Sequence, residues 1–301
     1  MDTEKIMDRL VRIVFGIGDK VVNILPDAVV ARLGKVLGFM AYYLAGHERK
    51  LAWRNINNVE FGQYTEKEKR KIIKKACKHF GQMIMELFLI KNINENNVYK
   101  YFDYENINVL QEATAQNRGI IIYTAHFGNW EWLGPALSRK GYPTTAIVEK
   151  QDYGDKTLND IRRSGGTEII YTGAGIRKAY KALKNNKILF LLGDQHAGEA
   201  GLEVDFLGRT TSTYRGVVKL AARTNSIIIP AYPVRQGFAN FNIRFFPAIE
   251  VNSKLTLKKE KDLLKELIQT TETVVMESPD QWNWFYKRWK QAKINEKKDN
   301  N

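Results

Sequence analysis

Apolar residues in the first hundred positions recur at helical spacing. Over Ile6–Val21 they return every three or four residues with basic residues among them, as in an amphipathic helix. Pro26 and Asp27 then indicate a break and a helix start, and the more apolar helix that follows ends near Gly46. A third helix, basic in its first half and apolar in its second, is predicted over Thr65–Ile90.

From Tyr101 onward strand patterns and helix patterns alternate as far as Glu250, with no Pro/Gly/Ser-rich linker between them. This alternation predicts an α/β fold with a mostly parallel central sheet flanked by helices. In such sheets the functional residues gather past the carboxyl ends of the strands. The predicted strands are Gly119–Ala125, Thr144–Val148, Glu168–Tyr171, Ile188–Leu192, Ile227–Val234 and Phe241–Phe246. The predicted helices are Asn129–Lys140, Gly154–Ser164, Gly175–Asn185, Thr213–Thr224 and a terminal helical pair.

One domain is predicted over residues 1–290. A chain of 301 residues with 44% hydrophobic content can bury a large core, and no internal boundary is visible. Residues 1–60 supply the N-terminal helices, residues 101–290 the α/β core, and residues 291–301 are predicted to be disordered. Two interpretations of the N-terminal helices stay open: they pack on the core, or their basic flanks and Trp53 place them at a membrane surface.

The chain is strongly basic, with 47 Lys and Arg against 33 Asp and Glu and a formal net charge of +14. An acidic partner is therefore expected, and nucleic acid, an anionic membrane or an acidic carrier protein would each meet that requirement. The single cysteine, Cys77, excludes an internal disulfide and favours a reducing compartment. The apolar run Val36–Gly46 is far shorter than the ~20 residues of a transmembrane helix, so none is predicted.

A histidine and a glutamate stand five positions apart at the corner that follows the strand Gly119–Ala125. Gly128 permits a tight turn and Asn129 is a natural helix cap, which leaves His126 in the loop and Glu131 in the first helical turn. The carboxylate would then reach one imidazole nitrogen, and the other nitrogen would face the cleft as a base. No G-x-S-x-G elbow supplies a nucleophile, so the pair either activates a hydroxyl of the substrate or is structural.

Five sequence blocks in a fixed order resemble a known enzyme family. HFGNWE, His126–Glu131, resembles the H-x4-[DE] block of the lysophospholipid acyltransferase superfamily, in the form found in the lipid A late acyltransferases that transfer lauroyl and myristoyl groups. The similarity covers most of the chain, roughly Val36 to Lys290. The other blocks are RRSGG (Arg162–Gly166), GDQH (Gly193–His196), DFLGRTTST (Asp205–Thr213) and WNWFYKRWK (Trp282–Lys290).

The resemblance implies a glycerolipid-acyltransferase-like fold and transfer of a fatty acyl group, usually from acyl carrier protein, to a hydroxyl of a saccharolipid such as a lipid A precursor. It places the reaction at the cytoplasmic face of the membrane, which we expect to be the bacterial inner membrane. We also expect a monomer with no cofactor, metal or nucleic-acid partner. His126 would remove the acceptor's proton while Glu131 holds the imidazole. Arg162 or Arg163 would stabilise the oxyanion. The further candidates for oxyanion or substrate binding are Asn129, Asp194 and Arg288.

Two of these roles have alternatives. Asp194 either orients the acceptor or caps a loop, and Arg288 either pairs with an acceptor phosphate or extends over the Trp faces. The chain also departs from the family's pattern. Tyr286–Arg288 stands where many members have a His-Arg-Arg run, and Arg32 and Lys35 interrupt the N-terminal hydrophobic segment. The interruption favours peripheral attachment over a spanning helix.

A second class of function also fits part of the sequence. The positive charge and the terminal Trp residues suit a membrane-binding or nucleic-acid-binding protein without catalytic activity. That alternative leaves the corner at His126 unexplained. For an acyltransferase, the acceptor could equally be a lysophospholipid or a mannosylated glycolipid, and the sequence does not choose among them.

Overall fold

The computed structural model describes residues 2–59 and 64–289, so the predicted disordered segment 291–301 lies outside the described residues. The helices are α1 Asp2–Ile24, α2 Asp27–Leu44, α3 Gly46–Asn57, α4 Glu66–Leu87, α5 Val98–Tyr101, α6 Asn108–Ala115, α7 Leu133–Ser138, α8 Asp155–Ser164, α9 Ile176–Lys184, α10 Gly216–Thr224 and α11 Leu257–Glu277. The strands are β1 Phe102–Glu105, β2 Ile120–Thr124, β3 Thr144–Val148, β4 Thr167–Tyr171, β5 Ile188–Leu192, β6 Leu202–Phe206, β7 Arg209–Thr213, β8 Ile227–Gly237 and β9 Asn240–Phe245.

Seven strands form the central sheet in the order β1-β9-β8-β2-β5-β3-β4. The β8–β9 pair is antiparallel, whereas the other five neighbouring pairs are parallel. β2 is buried along its whole length, as expected of a strand covered on both faces. Ile121 and Tyr123 enter one hydrophobic layer, and Ile120 and Ile122 enter the layer on the opposite face. The predicted α/β fold with a mostly parallel sheet is confirmed.

The sheet opens at the carboxyl ends of β3 and β5. These strands pair only from Thr144 to Ala146 with Ile188 to Phe190, whereas β2 and β5 stay paired through all five residues. Beyond the pair Ala146–Phe190, β3 and β5 are no longer paired. A cavity occupies the space that this separation leaves.

The N-terminal helices pack through glycines. α4 begins at Thr65 with a capping box, in which the Thr65 side chain accepts from the Glu68 amide and the Glu68 side chain accepts from the Thr65 amide. α2 lies so close to α4 that a Cβ at Gly38 would come within 2.1 Å of the Cys77 carbonyl oxygen. One at Gly81 would come within 2.2 Å of the Gly34 oxygen. The packed face of α2 is therefore fixed by these small residues.

The first two helices, α1 and α2, each carry many exposed apolar side chains. By length and apolar content, no single helix in the described ranges qualifies to cross a membrane, and α2 and α3 qualify only together, as a pair bent by 88°. The exposed apolar residues of α1 are Ile6, Met7, Leu10, Ile13, Val14, Ile17 and Ile24, and those of α2 are Val29, Leu33, Val36, Leu37, Phe39, Met40, Tyr43 and Leu44.

Three segments differ from their predicted elements. The predicted helix Asn129–Lys140 is a 3₁₀ turn over Trp130–Trp132 followed by the short α7. α10 begins at Gly216 rather than at Thr213, because the residues before it form β7 and pair with β6 in a hairpin. The terminal helical pair is one helix, α11, and a 3₁₀ turn over Pro279–Gln281.

Candidate active site

His126 follows β2 on a turn that only glycine can make. Gly128 has φ of 60°, and a Cβ there would lie 1.8 Å from the carbonyl oxygen of Pro233. The His126 amide donates to Asp194 Oδ2 at 2.9 Å, and its carbonyl accepts from the Asn283 amide at 2.9 Å. The backbone on both sides of the imidazole is thus held by distant parts of the chain.

Asp194 is the carboxylate that contacts the imidazole. Its Oδ1 lies 2.8 Å from His126 Nδ1, and its Oδ2 also accepts from Trp282 Nε1 at 2.9 Å. The Asp194 side chain is only 3% exposed, so the contact is shielded from water. The predicted contact between Glu131 and His126 is wrong, because the carboxylate of Asp194 occupies that position. Of the two roles considered for Asp194, the cap of a loop is seen, since its carboxylate accepts from the His126 amide. The same carboxylate orients the imidazole, a role that the sequence does not predict.

The two partners shift each other's pKa. Burial lowers the pKa of His126, but the charge and hydrogen bond of Asp194, helped by the charges of Glu131 and Glu149, outweigh burial and raise it above the ordinary value. Burial raises the pKa of Asp194, but His126 and the hydrogen bond from Trp282 bring it below its ordinary value. The aspartate therefore stays ionised, and the imidazole is made a stronger base.

Glu131 instead forms a forked ion pair with Arg162. Its two oxygens accept from Arg162 Nε at 2.7 Å and Arg162 Nη2 at 2.6 Å, and Arg162 Nη1 donates to Asn159 Oδ1 at 2.8 Å. Burial lowers the pKa of Arg162, but its hydrogen bond to Glu131 outweighs this and raises it. Arg163 is half-exposed and pairs with Asp160 at 3.0 Å. Of the two arginines that the sequence left open, Arg162 faces the cavity.

Asn129 lies behind the corner rather than in the cavity. It is fully buried and donates through Nδ2 to Glu86 Oε2 at 2.8 Å, and its side chain does not cap the turn that follows. Glu86 also forms an ion pair with Arg235 and accepts from the Ala239 amide at 2.9 Å. The expectation that Asn129 binds substrate or oxyanion is therefore wrong in this structure, because its amide is committed to Glu86.

Arg288 is a structural residue of the loop that borders the site. It is fully buried, and its Nη1 donates to the carbonyls of Gln195 and Ser212, each at 2.9 Å. Its Nη2 donates to Thr213 Oγ1 at 2.8 Å, and its guanidinium carbon lies 5.2 Å from the centre of the Phe206 ring. Burial lowers the pKa of Arg288. Both roles proposed from the sequence, a phosphate contact and an exposed position over Trp rings, are wrong because the side chain does not reach the cavity.

A cavity of about 710 Å³ lies between these groups. Its polar side presents His126, Glu131, Glu149, Arg162 and Gln195. Gln195 Nε2 lies 3.4 Å from His126 Nε2, the ring nitrogen that Asp194 leaves open. The apolar lining comes from β3, β5, α7, α9 and α10, and its residues are Leu133, Ala146, Ile147, Ile176, Phe190, Leu191, Leu192, Val217 and Leu220.

The chain matches the family model described as bacterial lipid A biosynthesis acyltransferase over residues 5–291. It belongs to this family. The chain is similar to a phosphatidylinositol mannoside acyltransferase of Mycobacterium tuberculosis, with 24% identity over 222 residues that cover 71% of this chain and 69% of the relative. It is also similar to a lipid A biosynthesis palmitoleoyltransferase of Escherichia coli, with 21% identity over 278 residues that cover 90% and 88% of the two chains.

Among solved structures, the chain is similar to the 1-acyl-sn-glycerophosphate acyltransferase of Thermotoga maritima. The TM-score is 0.38 and the identity 11%, with 82% of this chain and 96% of that chain covered. Membership of the family confirms the resemblance seen in the sequence. The protein is an acyltransferase of the lipid A or glycolipid type.

The site residues predicted from the sequence of this acyltransferase do not include Glu149, Gln195 or Tyr286, which also line the cavity. Glu149 follows β3, Gln195 follows Asp194, and Tyr286 lies with its ring parallel to the His126 imidazole, the ring centres 6.3 Å apart. Glu149 and Gln195 could have been found, because each stands just past the carboxyl end of a predicted strand. Tyr286 does not follow a predicted strand, because its segment is irregular, so its position in the sequence does not indicate that it lines the cavity.

Proposed function

We propose that this enzyme transfers a fatty acyl group from an acyl thioester, carried by acyl carrier protein, to a hydroxyl of a lipid A precursor or a related glycolipid. The observation that carries the proposal is the arrangement at His126. Asp194 holds one ring nitrogen at 2.8 Å, and the cavity that His126 lines has both polar and apolar side chains in its wall. A base in such a cavity suits a reaction between a sugar hydroxyl and a fatty acyl carbonyl.

The proposed reaction uses His126 first as a base and then as an acid. Asp194 accepts a hydrogen bond from the Nδ1–H group of His126, which fixes the tautomer and leaves the lone pair of Nε2 toward the cavity. Nε2 takes the proton of the acceptor hydroxyl while the hydroxyl oxygen attacks the thioester carbon. When the carbon–sulfur bond breaks, the leaving sulfur takes that proton from the imidazolium, and His126 returns to its neutral form. No covalent intermediate on the protein is required.

Arg162 is the proposed donor to the developing negative charge. Three of its five N–H groups are used by Glu131 and Asn159, so two remain for a substrate oxygen. Glu131 acts here as a positioning residue, because its forked contact fixes the plane of the guanidinium. The Gln195 amide, close to the reacting nitrogen, is a second candidate donor for the oxyanion.

A mannosylated glycolipid is the second candidate acceptor. Relatives named phosphatidylinositol mannoside acyltransferase and relatives named lipid A biosynthesis acyltransferase are similar to the chain at nearly the same identity. Both acceptors present a sugar hydroxyl on an anionic lipid. A lysophospholipid acceptor stays a prediction from sequence, and a protein without catalytic activity does not agree with the family.

We further propose that the enzyme works as a peripheral protein at the cytoplasmic face of the inner membrane. The support is the exposed apolar faces of α1 and α2, among which Leu44 and Ile24 are each 79% exposed, together with the net charge of +14. The same positive charge favours an acidic carrier protein as donor. A monomer stays a prediction.

Transfer of a labelled acyl group from carrier protein to a lipid A precursor tests the function. We expect His126→Ala to lose about 10²–10⁴ of the rate, because the base is removed. The matched control is His47→Ala, which changes an exposed histidine of α3 outside the site. Transfer by His126→Ala at the wild-type rate would refute the site. A mannosylated acceptor and an acyl coenzyme A donor, run in parallel, decide between the two acceptors and the two donors.

A further inference from the structure

We propose that a cleft between α2, α3 and α4 binds the phosphate headgroup of an anionic phospholipid and fixes the orientation of the enzyme on the bilayer. The cleft has a volume of about 170 Å³ and lies apart from the active-site cavity. The residues that line the cleft are Tyr42, Arg49, Lys50, Trp53, Arg70 and Ile73. The proposal rests on the membrane location given under the proposed function.

Most of the positive charge of the cleft has no carboxylate partner among the residues that the structure describes. Arg49 and Lys50 form no ion pair with a carboxylate within residues 2–59 and 64–289. Arg70 has a distant partner, Glu66 at 3.9 Å, and both side chains are largely exposed. An exposed pair of this kind contributes little. Three cations therefore converge on a concave surface that lacks a carboxylate among its described lining residues, which favours an anionic ligand.

Two of the cations are held in place by other groups. Arg49 donates to the carbonyl of Tyr42 and, at 3.3 Å, to that of Tyr43, at the C-terminal end of α2. Arg70 lies over the Trp53 ring, with its guanidinium carbon 4.4 Å from the ring centre. A guanidinium whose plane is already fixed loses less conformational freedom when it binds a phosphate.

The exposed apolar face of α2 continues into the cleft. At ~100° per residue, the exposed apolar residues of α2 occupy an arc of about 160°, with Phe39 and Tyr43 along one edge. Lys74 of α4 stands beside that edge, its Nζ 4.8 Å from the Phe39 ring centre and 5.6 Å from the Tyr43 ring centre. An apolar arc bordered by aromatic and basic residues suits a helix that lies ~5–10 Å deep in the bilayer interface, with the cations at headgroup level.

This continuity favours a bilayer over the acidic carrier protein as the occupant. A carrier protein would satisfy the cations of the cleft but would leave the apolar arc in water. An anionic membrane covers both surfaces at once.

Co-sedimentation with vesicles tests the cleft. The variant Arg70→Gln/Lys74→Gln removes two charges at and beside the cleft, one helical turn apart. We expect about a 30-fold loss of affinity for vesicles of phosphatidylcholine with phosphatidylglycerol, since each cation near an anionic surface contributes about fivefold to the affinity. Binding to phosphatidylcholine alone should stay as in the wild type. The matched control, Lys261→Gln/Lys265→Gln, removes two exposed charges at the same spacing on α11, and its loss should stay below about threefold.

Three outcomes would overturn the proposal. Equal losses in both double variants would mean that only total charge matters, and no loss in either would mean that the cleft does not face the membrane. Unchanged vesicle binding combined with slower transfer from acyl carrier protein would assign the cleft to the carrier. Acyl transfer between detergent-solubilised substrates reports on the active site separately, and the Arg70→Gln/Lys74→Gln variant should keep the wild-type rate in that assay.

Discussion

At the scale of single residues, the site depends on which of two carboxylates reaches the imidazole. The spacing from His126 to Glu131 suggested a local pair, but β2 and β5 lie in register so that Thr124 is opposite Leu192. The residues two positions further on, His126 and Asp194, then become neighbours in space. That register is a property of the folded sheet and is not visible in either segment alone. The histidine could be predicted from the sequence, whereas its partner could not.

We expect Asp194→Asn to lower the pKa of His126, because the ring stays buried while the charge that opposes burial is lost. The neutral imidazole is the active base, so the wild-type rate should rise with pH through a pKa above the usual ~6.5. In the variant this rise moves to lower pH, and the maximal rate falls by about 10²–10⁴ because the tautomer is no longer fixed. The pH profile of kcat/KM measures both effects. An unchanged profile would show that Asp194 does not act on the base.

We expect the ion pair of Glu131 and Arg162 to behave as one unit. The single changes Glu131→Gln and Arg162→Gln should each slow acyl transfer, by about 10² for the arginine. The double variant should lose less than the product of the two effects, since each single change already breaks the forked contact. Arg163→Gln, on the same helix but outside the site, should change the rate little. Additive losses would mean that the two residues act independently.

At the scale of elements, local sequence patterns predict the strands of the central sheet but not all of the segments that connect them. Thr144–Val148 and Ile188–Leu192 are predicted with their observed bounds. The first is rich in β-branched residues and the second is an uninterrupted apolar run, and turn residues flank both. The hairpin of β6 and β7 was missed, and its turn has positive φ at both Leu207 and Gly208. Turn propensities do not predict a leucine with φ of 51°, because leucine rarely adopts this left-handed conformation.

The glycine contact between α2 and α4 gives a prediction at this scale. We expect Gly38→Ala to lower the free energy of unfolding by about 1–3 kcal/mol. The added Cβ would overlap the Cys77 carbonyl oxygen, and the backbone of α4 cannot move as easily as a flexible side chain to relieve the clash. Gly16→Ala is the matched control on α1, where an added Cβ has no neighbour within 4 Å. This variant should be more stable by up to about 1 kcal/mol from helix propensity. Urea denaturation of both variants checks the difference in sign, and a stable Gly38→Ala would contradict the close packing.

At the scale of the whole molecule, buried charges that lie far apart in sequence hold the corner that carries His126. Glu86 of α4 joins Asn129 of the corner to Arg235 of β8, and its carbonyl accepts from Trp132 Nε1 at 3.3 Å. No local sequence pattern predicts this network, because a single Glu in an apolar half-helix and a single Arg in a strand do not indicate that they pair. The same helix packs against α2 through Gly38 and Gly81, so one element connects the exposed N-terminal helices to the corner that carries His126.

This brace predicts that stability and activity can be separated. We expect Arg235→Met to lower the free energy of unfolding by about 3–5 kcal/mol, because it leaves the fully buried Glu86 carboxylate without its cation. Adding Glu86→Leu should restore part of that loss, because the uncompensated buried charge is removed while the Asn129 and Ala239 amides lose their acceptor. Activity should stay low in the double variant, because Asn129 loses its acceptor and the turn at Gly128 loses a support. Urea denaturation and acyl-transfer rates on the same preparations measure the two effects. A double variant that regains both stability and activity would show that the buried charges contribute to folding alone.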